Sequence, residues 1–190
     1  MRFREAFSSA VLLFAAAASA QAQQPKAGDK LPYALPEQVR DVQRQALEYQ
    51  RNVLIAMVDS MPERLFNDAS HPGQRDFAQQ IHHAASAQRL LLTVVFEGAR
   101  QADPRDEPAN INIYSRQNLR EYVRFAFDYS LSQLQKHAPE HRGAWVNFFG
   151  RIMPGWQIWD EIHTHTLWTA GQVVANFRKH GMAPPQFTFF

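Results

Sequence analysis

Four stretches of this chain carry apolar residues at intervals of three and four, the spacing that lines one face of an α-helix, and no stretch alternates convincingly as a strand does. From Glu37 the positions Val39, Val42, Ala46, Tyr49, Val53, Ala56 and Met57 form such a face, which should end near Met61-Pro62. A turn-rich segment from Asn67 to Gly73 leads to Asp76, an N-cap for a second helix reaching about Glu97, with Gly98 after it. That helix carries two apolar stripes, one through Phe77, Ile81, Ala84, Gln88 and Leu91 and the other through His83, Ala87, Leu90 and Val94, so neighbours are expected on both sides. Ser115 caps a third helix with the seam Leu119, Val123, Phe127, Leu131 and Leu134, stopping before Pro139. The fourth begins at Pro154-Gly155 and ends on the strongest stop signal in the chain, Lys179, His180 and Gly181 followed by Pro184-Pro185.

Helices of roughly 22 to 26 residues are about 35 Å long, which predicts an all-α four-helix bundle over residues 37–190. The polar segment from Ala99 to Tyr114, with Pro104 and Pro108, reads as a long loop. Residues 23–36 mix Gln, Lys, Gly and three prolines without periodicity and read as a flexible leader. Ahead of them, Arg2 and Arg4, an apolar run from Ala10 to Ala18, and small residues up to Ala20 and Ala22 have the order of a secretory signal peptide over residues 1–22, cut after Ala20 or Ala22. The run is too short to cross a bilayer, which needs roughly 20 apolar residues, and no later segment reaches that length without charges. A periplasmic or secreted product without a membrane anchor is expected. With no cysteine, there is no lipidated cysteine, no disulfide and no thiolate nucleophile or metal ligand. After cleavage 18 basic residues face 17 acidic ones, a balance that predicts no nucleic-acid partner.

Eight histidines are the side chains with suggestive placement, so the question is which of them converge. His71 sits in a turn, His137 and His141 flank the break after the third helix, and His180 meets a helix C-terminus, where the dipole favours a cation. On the fourth helix Glu161, His165, Thr169, Gln172 and Asn176 project from one stripe. Its other side holds Trp159, Ile162, Thr166, Ala170, Val173, Val174 and Phe177, and periodicity alone reads the polar stripe as the water-facing side. His163 lies about 200° from His165 around the helix and reads as a core histidine, while His82 and His83 diverge by about 100°. Gly171 costs about 1 kcal/mol against alanine inside a helix, so a close helix-helix approach is expected there. Gln172, if turned inward, needs hydrogen-bond partners.

The cluster Trp145, Phe148, Phe149, Trp156 and Trp159 reads as core or interface, with the roof of a cleft as the alternative. No Gly-x-Ser-x-Gly elbow, phosphate loop, His-Glu-x-x-His helix or calcium loop is present, which removes most familiar hydrolase and nucleotide-binding classes.

The run from His165 to Pro185, with Gly171-Gln172, Phe177-Arg178, Gly181 and Pro184-Pro185 in order, resembles the last helix of the DinB-like family. Phe77 to Leu90, containing His82-His83, is similar to that family's second helix, and Ser115 to Leu134 to its third. The resemblance implies an up-down-down-up bundle in which one histidine of the second helix and two of the last, four apart, hold a divalent metal. Carried over, the ligands are His83 and His165, with Thr169 where the family has its third histidine. Two imidazoles alone would hold zinc weakly, and Glu161, one turn before His165, is an alternative third ligand. The resemblance further implies a metal-dependent hydrolase or thiol-dependent transferase using zinc or nickel on a small-molecule substrate, and a homodimer. The loss of the third histidine leaves open a second reading, a binding or interaction protein without metal.

Overall fold

A computed structural model of the chain describes residues 24–97, 103–136 and 143–186. The expected signal peptide, Gly98, His137, Pro139, His141 and the apolar tail at 187–190 lie outside the described residues.

Four helices dominate: α1 over Glu37–Ser60, α2 over Phe77–Phe96, α3 over Arg116–Lys136 and α4 over Gly155–Lys179. Their ends follow from local chemistry. Asp76 accepts from the Gln79 N–H at 2.8 Å while its own N–H donates to the Gln79 side chain at 3.1 Å, a reciprocal capping box that starts α2. The first N–H of α3 donates to Glu63 Oε2 at 3.1 Å, so a single 3₁₀ turn at Glu63–Leu65 supplies its cap. At the end of α4 the Met182 N–H reaches the Phe177 carbonyl and the Gly181 N–H reaches Arg178, with Gly181 at φ +66°, the Schellman arrangement that needs a left-handed residue.

Cross-helix pairs set the directions. Gln43 with Trp156 and Gln50 with His163 make α1 and α4 parallel. Arg51 with Asp128 and Arg120 with Asp59 make α1 and α3 antiparallel. Phe77 with Phe177 and Phe96 with Trp159 make α2 and α4 antiparallel, and Gln88 with Ser130 and Gln133 with Glu97 make α2 and α3 parallel. The bundle is therefore up-down-down-up, with neighbours in the order α1, α3, α2, α4 around the ring. Because α2 and α3 are consecutive and parallel, the chain between them has to travel back along the bundle. Its described part does so, with Asp106 beside Arg89 in the middle of α2 and the Tyr114 hydroxyl donating to Asp76 at its start (2.9 Å).

Two features differ from the sequence reading. The aromatic connection before α4 contains a β-hairpin, β1 (Trp145–Phe148) antiparallel to β2 (Arg151–Pro154), turning through Phe149 (φ +48°) and Gly150 (φ +87°). Positive φ at both positions is the type I′ turn that matches strand twist, and with Phe in place of the usual Asn the sequence hid it. The supposed flexible leader is anchored to the base of this hairpin: Gly28 N–H donates to Trp145, Trp145 N–H to Asp29, and Leu31 N–H to Gly143. Leu31 itself is buried.

The buried stripe of α1 is Gln43, Ala46, Leu47, Gln50, Leu54, Met57 and Val58, rotated from the expected face, and Val42 stands 56% exposed. Two glutamines take core positions because their amides donate to backbone carbonyls of α4. Among the described residues no helix is long and apolar enough to cross a membrane.

Candidate functional site

The antiparallel contact of α2 and α4 is a ladder of facing side chains. At the α2 start Phe77 meets Phe177 edge-on at 6.0 Å. Next, Gln80 Nε2 donates to the Thr169 carbonyl (3.4 Å) and to Gln172 Oε1 (3.2 Å). One turn further His83 meets His165, ring centroids 5.2 Å apart and planes at 78°. The two imidazoles expected to converge from separate helices do so.

The stripe carrying His165 is not the wet side of α4. Thr169 and Asn176 are 2% and 3% exposed, and Asn176 donates to the Asp68 carbonyl at 2.8 Å. Water instead meets Asp160, Thr164, Trp168, Gly171 and Ala175. A helix clasped by α2 and α1 buries two flanks, so its polar stripe is drawn inward wherever α2 supplies polar partners. Gly171 lies on the open side: a Cβ there would meet nothing within 4 Å, so the expected close approach does not exist. Gln172 is exposed and serves as an acceptor for Gln80.

Burial first, and the positive charge of Arg75 next, hold the His83 imidazolium down to about 4, with His165 and His82 adding to the effect. His165 is lowered by the same two causes in the same order. Both rings are therefore neutral near pH 7, the form that binds metals. His165 Nδ1 is buried and meets no hydrogen-bond partner among the described residues.

With metal–nitrogen bonds of about 2 Å, two imidazoles on one tetrahedral ion stand with centroids about 5 Å apart, so this pair suits a shared ion. Completion of the set is another matter. Among the described residues no three His, Asp or Glu side chains are gathered closely enough to hold an ion. Glu161 is thus not gathered with the two imidazoles among the described residues. It sits one turn, about 6 Å, along α4 toward the Phe96–Trp159 end. Thr169 is buried one turn beyond His165 on the same stripe of α4.

The other described histidines make contacts elsewhere in the fold. His82 turns to α3, stacks on Tyr122 at 4.3 Å and bonds the Arg105 carbonyl. His163 faces α1 and bonds Gln50. His71 bonds the Pro72 carbonyl, and His180 with Lys179 holds Asp68. The aromatic cluster does not roof the histidines. Trp145 and Phe149 gather near Val94 and Val95, about 17 Å along α2 from His83, while Trp159 packs on Phe96.

Two contributors escaped the sequence reading. Gln80 lies one turn before His83 on the same face, a spacing that could have signalled it. Arg75 precedes the N-cap, where nothing local says that its charge reaches both rings.

A model of the DinB superfamily matches residues 46–180, which contain His83, His165 and Thr169. Among solved structures the chain is similar to a DinB-like protein from Bacillus cereus ATCC 10987, known from a crystal structure at 2.01 Å resolution. The identity is 20% and the TM-score 0.62, covering 78% of this chain and 97% of that one. No curated protein matches significantly. The up-down-down-up order of the helices and a match over most of their length lead to the same place: this chain belongs to the DinB superfamily.

Proposed function

We propose that the paired imidazoles of His83 and His165 form a site for one divalent ion, zinc or nickel, in an exported metal-dependent hydrolase or thiol-dependent transferase. The observation that carries this reading is two neutral imidazoles from different helices at 5.2 Å between centroids. His83 and His165 would be the ligands, and Thr169 would offer a weak hydroxyl donor where a third imidazole would bind strongly. An ion held there would act as a Lewis acid, polarising a substrate or lowering the pKa of water or a thiol. Gln80 fixes the backbone at Thr169 and holds Gln172 across the helix gap. The positive charge of Arg75 is felt at both rings and favours an anionic substrate group.

A second reading, a small-molecule-binding protein that has lost the metal, is favoured because no carboxylate joins the pair among the described residues and because the charge of Arg75 repels a cation. Zinc and nickel titrations of the mature protein, read by calorimetry, separate the two. The metal reading expects one-site binding that His83→Ala or His165→Ala abolishes, and a tighter site in Thr169→His. Equal and negligible binding in all four proteins refutes it and leaves the second reading.

A further inference from the structure

The seam between α1 and α4 lies on the opposite flank of α4 from the histidine pair. It encloses a cavity of about 80 Å³ lined by Val42, Gln43, Ala46, Leu47, Trp159, Asp160 and His163. Its walls are mainly aliphatic and indole surface, with Asp160 and His163 along the α4 side, and two of the residues lining it carry buried polar atoms with no hydrogen-bond partner among the described residues. Gln43 Oε1 is an acceptor and Trp159 Nε1 a donor, on side chains 7% and 3% exposed. Two turns along α1 from Gln43, Gln50 (1% exposed) is tied to His163 through its amide nitrogen and leaves Oε1 in the same condition. The Gln43 amide nitrogen is likewise spent on the Trp156 carbonyl, so each glutamine bridges the helices with its donor and keeps its acceptor for something else.

Buried polar groups are normally satisfied, and each left alone costs about 1–3 kcal/mol. A guest here must donate to an amide oxygen, accept from an indole N–H and present apolar surface to Val42, Ala46 and Leu47. A hydroxyl on a short apolar stem has that pattern, since one O–H both donates and accepts. A cation is drawn to the Asp160 carboxylate only at the solvent-exposed rim, and the interior between Gln43 and Trp159 offers no charge to offset its desolvation. At roughly 30 Å³ per water, about 80 Å³ is the space of two to three waters, enough for a hydroxyl and the first carbon or two of its stem.

We infer that the α1/α4 seam is a second binding site, specific for a hydroxyl group carried on a short apolar stem and held between Gln43 and Trp159. It is independent of any metal at His83 and His165. Val42 and Asp160 stand exposed at its rim, so the stem of a longer ligand can leave there.

The test is a titration of the mature protein with 1-propanol, following the Gln43 side-chain amide and Trp159 indole resonances by NMR. The expected result is a saturable shift of both. Trp159→Phe, which keeps the ring and removes the donor, should weaken binding about five-fold, the worth of one neutral hydrogen bond. Val42→Trp, at an exposed position that folding tolerates, should cover the mouth and abolish the shift. Shifts that rise linearly without saturating, or saturable binding unchanged in both variants, overturn the inference.

Discussion

Asp106 is the residue whose loss should cost most among those outside the apolar core. It lies on the chain returning from α2 to α3 and accepts from Arg89 Nε at 2.8 Å, from a second Arg89 nitrogen in a tight contact, and from the Tyr122 hydroxyl at 2.8 Å. The partners are nearly dry, with the Arg89 and Asp106 side chains 8% and 11% exposed and Tyr122 3%. Asp106→Ala strands a guanidinium between the Phe125 and Tyr129 rings, 5.4 and 5.1 Å from their centroids, and orphans a phenol. Breaking a buried pair by removing one partner costs about 3–5 kcal/mol, and an orphaned hydroxyl adds about 1, less whatever water recovers as the loop lifts. A net loss of about 3–4 kcal/mol is expected, a large share of a total near 5–15. Asp103→Ala, which breaks a pair whose Arg105 is 52% exposed, should cost about 0.5 kcal/mol or less. Urea unfolding followed by far-UV circular dichroism measures both, and the double variant Arg89→Met/Asp106→Leu should recover most of the loss. If Asp106→Ala costs under about 1 kcal/mol, or the double variant is no better than the single, the dry network described here does not hold the crossover.

Gly171→Ala should stabilise the protein by about 0.5–1 kcal/mol in thermal unfolding, because the position is open and glycine spends backbone entropy in a helix; a loss would reveal a hidden neighbour. Phe149→Asn should gain about 0.5 kcal/mol, since asparagine before Gly150 suits the left-handed first position of the hairpin turn. Hydrogen bonds from Lys179 and His180 hold the Asp68 carboxyl below its ordinary value of 3.8, so its contribution is complete above that pH and is lost as pH falls through the lowered value. Asp68→Asn should therefore show a shallower fall in stability between about pH 4 and pH 2 than the parent, and parallel curves would contradict the assignment.

Much of the local structure was legible in the residues. The four helices start and stop within a residue or two of their expected ends because caps and stops are local: Asp76 with Gln79, Met61 before Pro62, and Gly181 after Lys179. The divergence of His82 from His83 and of His163 from His165 followed from 100° per residue, and each now faces a different neighbour. The hairpin was missed because Phe149 is an unusual residue for its turn. Glu161 was a reasonable partner by spacing on α4, but whether it joins the imidazoles depends on where α2 crosses, which no residue on α4 records.

Helix ends, connection lengths and the face on which each histidine sits were set by the amino-acid sequence alone, since they depend on hydrogen bonds and sterics within a few residues. Which faces became interior was decided by packing. Gln43 and Gln50 are buried because α4 offers carbonyls opposite them, and the polar stripe of α4 turns inward because Gln80 and His83 meet it. A polar side chain is buried when a neighbour satisfies it, and that neighbour is more than a hundred residues away for both glutamines and more than eighty for His165.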